Sequence, residues 1–115
     1  MRTRTALLAV TSAFALFLTI PGTASAAVGE FTYRYLDEDG DVQSGSLIDP
    51  PSRECIDIPE VSDLEDVHAF RPRNDTGSRA VVFKESGCEG DAYFSLRPDG
   101  GHGSDRLLLR SVVFN

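Results

Sequence analysis

The stretch VFKESGCEGDA, residues 82–92, repeats the pattern of an earlier stretch, TYRYLDEDGDV, residues 32–42. With a shift of 50 residues, Phe83 falls on Tyr33, and both stretches continue to a Gly-Asp pair seven positions after that aromatic residue. An internal repeat indicates similar supersecondary units that bury their apolar faces against each other. The pattern therefore predicts two four-stranded units packed face to face.

Around this repeat, the chain consists of short alternating segments separated by glycine and proline turns. In EFTYRYL, residues 30–36, the aromatic residues occupy one face of a strand, while Thr32 and Arg34 occupy the other. A capping Ser62 would allow one helical turn over residues 61–67. Many short strands of this kind are typical of an antiparallel sandwich or barrel. Further strands are predicted at residues 42–48, 54–58, 67–71, 79–84, 92–96 and 107–114.

The N-terminus has the features of a secretory signal peptide. Arg2 and Arg4 precede an uncharged apolar run at residues 6–20, and Ala24 and Ala26 are small residues of the kind that signal peptidase requires. We therefore assign residues 1–26 to a signal peptide and residues 27–115 to a secreted, extracellular domain. An uncleaved membrane anchor is the alternative, but the run is shorter than the roughly 20 apolar residues that a spanning helix needs.

The remaining domain is acidic. Without Arg2 and Arg4, nine basic residues remain against 18 acidic ones, so the net charge is −9. Such a charge repels phosphate backbones and disfavours nucleic-acid binding. We expect a monomer that binds neither nucleic acid nor, once the signal is cleaved, a membrane.

Cys55 and Cys88 are the only two cysteines. Because a small exported domain has a limited core, an even number of cysteines favours a disulfide over a metal pair or a free thiol. A disulfide between them would close a loop of about 33 residues. Such a closure stabilises a domain by roughly 3–4 kcal/mol, because it restricts the freedom of the unfolded chain.

The segment FKESGCEG, residues 83–90, resembles the signature of the βγ-crystallins, in which two aromatic residues precede a glycine. Phe83 and Gly90 match that signature, whereas Cys88 replaces the second aromatic residue. The chain is similar to small secreted actinobacterial proteins of this type and to the crystallin-like metalloproteinase inhibitors. The resemblance implies an all-β, antiparallel Greek-key sandwich with one unit at residues 27–74 and a second at 75–115. In that family a serine packs over the folded hairpin, and it aligns near Leu108 here.

The acidic stretch YLDEDGDVQSGS, residues 35–46, raises the question of a calcium site. Asp37, Asp39 and Asp41 have the first spacings of an EF-hand loop, but Val42 and Ile48 occupy the positions that require glycine and glutamate. Asp39-Gly40 instead predicts a two-residue hairpin turn with a positive φ at a solvated tip. The calcium motif of microbial βγ-crystallins is also degenerate in both units, so we expect no cofactor. If calcium does bind, the candidate ligands are Asp37, Asp39, Asp41, Glu65 and Asp66.

Catalysis finds little support in the sequence. His68 lies in a predicted strand, where we expect a hydrogen-bonded ring, and His102 lies in the predicted flexible loop PDGGHGSD. The spacing of the sequence indicates no serine and no pair of carboxylates that would lie beside either histidine. We therefore predict a binding protein and not an enzyme.

A rigid exposed loop is what an inhibitor needs, because an ordered segment loses less entropy on binding. IDPPSREC, residues 48–55, is the best candidate, since two prolines restrict its backbone and the predicted disulfide holds its end. A stiff connection between strands is the alternative. Arg71 and Arg73, which flank Pro72, form a second candidate contact, with an inter-unit linker as the plainer interpretation. The predicted inhibitory loop consists of Pro50, Pro51, Ser52, Arg53 and Glu54.

The sequence therefore predicts a small secreted peptidase inhibitor whose partner is a secreted protease. Two other functions stay open: an extracellular structural or stress protein stabilised by calcium, and a small secreted antimicrobial toxin.

Overall fold

The computed structural model describes residues 26–115, and within them the fold is all-β. The predicted signal peptide lies outside the described residues except for Ala26, which forms an isolated bridge with Pro51. Of the described residues, none belongs to a helix with the length and apolar character needed to cross a bilayer. The strands are β1 (Gly29–Leu36), β2 (Val42–Ile48), β3 (Cys55–Asp57), β4 (Ala69–Thr76), β5 (Ala80–Phe83), β6 (Tyr93–Leu96), β7 (Gly101–His102), β8 (Leu108–Leu109) and β9 (Ser111–Phe114).

These strands form two antiparallel sheets that exchange strands. The first sheet has the order β2-β1-β4-β7, with β8 also paired to β4, and the second has the order β3-β9-β5-β6. The first sheet thus contains β1, β2 and β4 from the first half of the chain and β7 and β8 from the second half. The second sheet contains β5, β6 and β9 from the second half and β3 from the first. The exchange ties the two halves together, because neither sheet can form from one half alone. The predicted boundary between residues 74 and 75 falls inside β4.

The core lies between the sheets and is built from the alternating positions of the strands. In β1, Phe31 and Tyr33 are buried, while their neighbours point away from the core. The ring of Phe31 packs edge-on against that of Phe114 on β9, with centroids 5.4 Å apart, and so joins the two sheets. This alternation confirms the predicted face of residues 30–36.

Tyr33 also requires a glycine on the neighbouring strand. Gly45 is paired with Tyr33 across the β1–β2 ladder, and a Cβ at Gly45 would lie 2.5 Å from the tyrosine ring. The Tyr33 hydroxyl donates a 2.6 Å hydrogen bond to Oε1 of Glu60. Burial, and then this carboxylate, raise the pKa of Tyr33 well above its usual value, so the phenol stays protonated.

Three local expectations are wrong. Residues 61–67 form turns and not a helix; the Arg110 guanidinium holds them by donating to the carbonyls of Val61 and Leu64. Residues 71–74 are not a linker, because β4 continues through them. His102 is not in an open loop, since β7 pairs it with Arg73.

Candidate functional site

The predicted inhibitory loop is held at its start by three hydrogen bonds, each donated by a backbone amide. The Asp49 amide donates to the Gly29 carbonyl, and the Gly29 amide donates in return to Oδ1 of Asp49, both at 2.8 Å. The Ala27 amide donates to the Pro50 carbonyl at 2.8 Å. Pro50 is buried, so the loop begins from a fixed base.

The apex of the loop is a tight turn. Arg53 is exposed and has a φ of 61°, in the left-handed region that L residues rarely adopt. Its amide donates a 2.7 Å hydrogen bond to the carbonyl of Phe114, at the end of β9. Ser52 is half-buried, and Glu54 is exposed. Residues 50–54, which we call the 50–54 turn, therefore present Arg53 from a bend and not from an extended, substrate-like strand.

The predicted disulfide between Cys55 and Cys88 is confirmed, and it closes the turn from the other side. It joins β3 to the connection between β5 and β6, residues 84–92, which we call the folded connection. The Gly87 amide adds a 2.8 Å hydrogen bond to Oδ1 of Asp57 on β3. The folded connection and the 50–54 turn are thus parts of one cross-linked region.

Ser111 fixes the folded connection from beneath. Its buried hydroxyl donates to the Glu85 carbonyl at 2.6 Å and accepts from the Cys88 amide at 2.8 Å. From the crystallin resemblance we expect a serine near Leu108 to pack against this hairpin, but in the structure Ser111 makes these contacts. The β5–β9 register pairs Ser111 with Phe83, and only that pairing reveals its position. Gly90 has a φ of 89°, which a glycine adopts without the clash that a Cβ would cause.

Three of the five candidate calcium ligands come together at the tip of the first hairpin. Asp37, Asp39 and Asp41, which we call the acidic tip, each offer an oxygen within 4.8 Å of the others. Glu65 and Asp66 are exposed in the turns before β4 and do not belong to that cluster.

The Asp37 carboxylate is already engaged in the turn. Its Oδ1 accepts from the amides of Asp39 and Asp41, and its Oδ2 accepts from Nε2 of Gln43, all at 2.9 Å. The Gln43 contact, followed by the backbone contacts, lowers the pKa of Asp37 below its ordinary value. In this arrangement the carboxylate holds the five-residue connection between β1 and β2, which is longer than the predicted two-residue turn.

A cleft on the outer face of the first sheet collects basic residues. Its volume is about 550 Å³, and it lies over β1, β2, β4 and β7. Register explains the arrangement: Thr32 is opposite Arg73, Arg73 is opposite His102, and Arg34 is opposite Ser44. We call it the arginine cleft; its lining includes Arg34, Arg71, Arg73 and His102, with hydroxyls from Thr32, Ser44 and Ser104.

A β-bulge shapes this cleft. The β1–β4 register shifts between Thr32 and Arg34, so that Arg71 and Pro72 together face a single residue of β1. Arg71 has a φ of 50°, a conformation that glycine would adopt freely. The bulge buries Pro72 and leaves the arginines on either side exposed.

Two ion pairs border the arginine cleft. Arg71 donates Nε and an Nη to the carboxylate of Asp105 at 2.6 and 2.9 Å, and Arg73 donates Nε to Asp75 at 2.8 Å. The first contact raises the pKa of Arg71 and lowers that of Asp105, and the charge of Arg34 lowers the latter further. All four side chains of these pairs are between 42% and 60% exposed, so solvent screens both interactions.

The sequence identified part of this cleft only. Arg71 and Arg73 were predicted as a contact, and strand alternation placed Thr32 and Arg34 on one face. His102 was missed, because it reaches the cleft through pairing with a strand 29 residues earlier. His68 lies just before β4, and its buried Nε2 has no hydrogen-bond partner in the described part of the chain, which corrects the expected hydrogen-bonded ring.

In comparisons with protein-family models, with curated proteins and with solved structures, nothing matches this chain, so these comparisons identify no family for it.

Proposed function

We propose that this protein is an exported, non-catalytic binding protein that inhibits a secreted peptidase through the 50–54 turn. The observation that carries the proposal is the fixing of that turn on both sides, which leaves Arg53 exposed at its apex. A segment already ordered before binding loses little conformational entropy when it enters a cleft. Because the backbone at Arg53 is left-handed, the surface that contacts the peptidase is a turn that presents the Arg53 side chain.

The proposal includes a Greek-key sandwich of the βγ-crystallin type. Two observations support it: the placement of β3 in the second sheet and of β7 and β8 in the first, and the packing of Ser111 against the folded connection. Fold alone does not determine function, so the inhibitory role depends on the turn.

Export is part of the same proposal. The disulfide is compatible with an oxidising compartment. Cleavage after residue 26 leaves Ala27 as the first residue, and its nitrogen contacts the Pro50 carbonyl at the base of the turn. We expect N-terminal sequencing of the protein from culture medium to begin at Ala27; recovery of an intact leader would contradict this assignment.

The test of inhibition uses the purified, oxidised domain against a panel of secreted metallopeptidases and serine peptidases. We expect the wild type to slow at least one of them and the Arg53→Ala variant to lose about tenfold or more in affinity, because a charged anchor contributes about 1.5–3 kcal/mol. Lys84→Ala is the matched control, since it removes an exposed positive charge outside the turn.

Either of two results would reject the proposal. The wild type could leave every peptidase of the panel unaffected, or Arg53→Ala could inhibit as well as Lys84→Ala does. Circular dichroism and thermal unfolding of each variant separate a lost contact from a lost fold.

A calcium-stabilised extracellular protein is the second candidate, favoured by the convergence of the acidic tip. If calcium binds there, millimolar Ca²⁺ should raise the Tm of the wild type, because a ligand that binds only the native state stabilises it. Asp41→Asn should abolish the rise and Asp99→Asn, outside the tip, should preserve it. An unchanged Tm removes this candidate.

A further inference from the structure

We propose that the arginine cleft binds a small oxyanion that carries two or more negative charges, such as a phosphorylated or polycarboxylate compound. This site uses none of the residues of the 50–54 turn, so it stands independently of peptidase inhibition.

The charge distribution points to such a ligand. Residues 27–115 carry twice as many acidic as basic side chains. Yet three arginines and a histidine line this cleft, and the two carboxylates that contact them, those of Asp75 and Asp105, lie at its border. Three guanidinium groups against two bordering carboxylates leave the cleft with a net positive charge, whereas the rest of the domain is acidic.

The backbone under the cleft has an unfavourable conformation at Arg71, whose side chain we expect to contribute most to binding. The bulge position of Arg71 suits glycine, and the arginine there keeps a φ of 50°. Such outliers cluster at binding sites, where the surrounding structure maintains them. Here the bulge keeps Arg71 and Arg73 on the same exposed side of β4 as Arg34 on β1.

Asp105 occupies the position of an internal counter-ion. It accepts both hydrogen bonds of the Arg71 fork, which is the geometry in which guanidinium groups also bind carboxylate and phosphate ligands. Because Asp105 is itself exposed, an incoming oxyanion can displace it without leaving a buried charge unpaired. Arg73 commits only Nε to Asp75, so its terminal nitrogens are available for a ligand.

Size and chemistry limit the ligand further. A volume of about 550 Å³ falls within the range of small-molecule sites. Hydroxyls of Thr32, Ser44 and Ser104 add neutral donors around the arginines. A monovalent anion would satisfy one guanidinium group and leave the others solvated, so we expect discrimination in favour of multivalent ligands.

Isothermal titration of the full oxidised domain at low ionic strength tests the proposal, with pyrophosphate and citrate as probes and acetate as the monovalent comparison. We expect one saturable site for pyrophosphate or citrate, binding at least tenfold more weakly for acetate, and weakening with added salt. Stronger binding of pyrophosphate assigns a phosphorylated ligand; stronger binding of citrate assigns a carboxylate ligand.

Variants of opposite sign make the test specific. Arg71→Gly, which suits the bulge backbone, should weaken binding about tenfold or more, because it removes charge-assisted hydrogen bonds. Asp105→Asn should tighten binding severalfold, because it removes the competing carboxylate. Lys84→Ala, outside the cleft, should leave the affinity unchanged.

Three results would overturn the proposal. The first is that neither pyrophosphate nor citrate saturates a site. The second is that Lys84→Ala weakens binding as much as Arg71→Gly does, and the third is that Asp105→Asn does not tighten binding. Arg73→Ala serves as a second loss variant if Arg71→Gly does not fold. Because Arg53 lies outside the cleft, an intact anion affinity in Arg53→Ala separates failure of this site from failure of the proposed inhibition.

Discussion

Each half of this protein begins with a β-hairpin, β1–β2 in the first and β5–β6 in the second, and the two hairpins differ in ladder length and in the contacts of their connections. In the first, β1 and β2 keep an unbroken ladder from the pair Glu30–Ile48 to the pair Leu36–Val42. In the second, β5 and β6 pair over four residues only, and the folded connection takes up the sequence that the ladder leaves out. Similar sequence patterns thus end in a long straight hairpin and in a short folded one.

The difference lies in where each connection finds its hydrogen-bond partners. The acidic tip is capped by its own Asp37, through contacts with residues two to six positions away. The folded connection depends on Asp57 and Ser111, which lie 23 to 30 residues away, and on the disulfide. The contacts of the acidic tip are therefore local, whereas those of the folded connection require the assembled sandwich.

Removing the disulfide should have the largest effect on the difference between the folded connection and the acidic tip. We expect the double variant Cys55→Ala/Cys88→Ala to lose about 3–4 kcal/mol of unfolding free energy in urea, because the unfolded chain regains the freedom of a long loop. Hydrogen exchange should quicken in the folded connection more than in the β1–β2 ladder. Equal loss of protection in both hairpins would show that they are not independent.

Ser111→Ala should have the next largest effect. It leaves the Cys88 amide and the Glu85 carbonyl without their partner, and an unsatisfied, partly buried backbone group costs about 1–3 kcal/mol. Ser46→Ala, on an exposed position of β2, is the control and should unfold at the wild-type urea concentration. A Ser111→Ala variant as stable as Ser46→Ala would remove the serine from our explanation of the folded connection.

Asp37→Asn should have the smallest effect, and it should depend on pH. The folded-state pKa of Asp37 is lowered, so its ionised form stabilises the fold above the ordinary aspartate pKa near 3.9, and this contribution disappears as the pH falls through the lowered folded-state value. The stability difference between wild type and Asp37→Asn should therefore be positive at pH 6 and shrink towards pH 2. Other carboxylates titrate in both proteins and cancel. A difference that stays constant with pH would mean that the charge of Asp37 does not support the turn.

Local pattern predicted much of the fold. Alternation in residues 30–36 identified the buried face of β1, because it depends on neighbours along the chain. Asp39-Gly40 located the first connection but not its length, since β1 and β2 are joined by five residues, 37–41, and not by a two-residue turn. The cysteine pairing needed no geometry, since only one pairing of two cysteines exists. Long-range register was the source of three errors: Ser111 was misplaced, residues 71–74 were interpreted as a linker, and His102 was assigned to a loop. The expected helix over residues 61–67 was wrong because the distant Arg110 holds the carbonyls of those turns.

The candidate sites divide in the same way. Proline and cysteine content indicated the 50–54 turn, but not the left-handed backbone of Arg53 or the contact of its amide with Phe114 at the far end of the chain. The arginine cleft combines residues from β1, β4 and β7, and no spacing in the sequence reveals that combination.

By itself, the sequence determined the all-β class, the sidedness of its best strand, the disulfide and the acidic character of the domain, because composition and alternation act at short range. Only the tertiary structure decided which strands exchange between the sheets, which serine fixes the folded connection and which cations share a cleft. Those features depend on pairing between distant segments, and many registers are compatible with the same local pattern until the two sheets pack together.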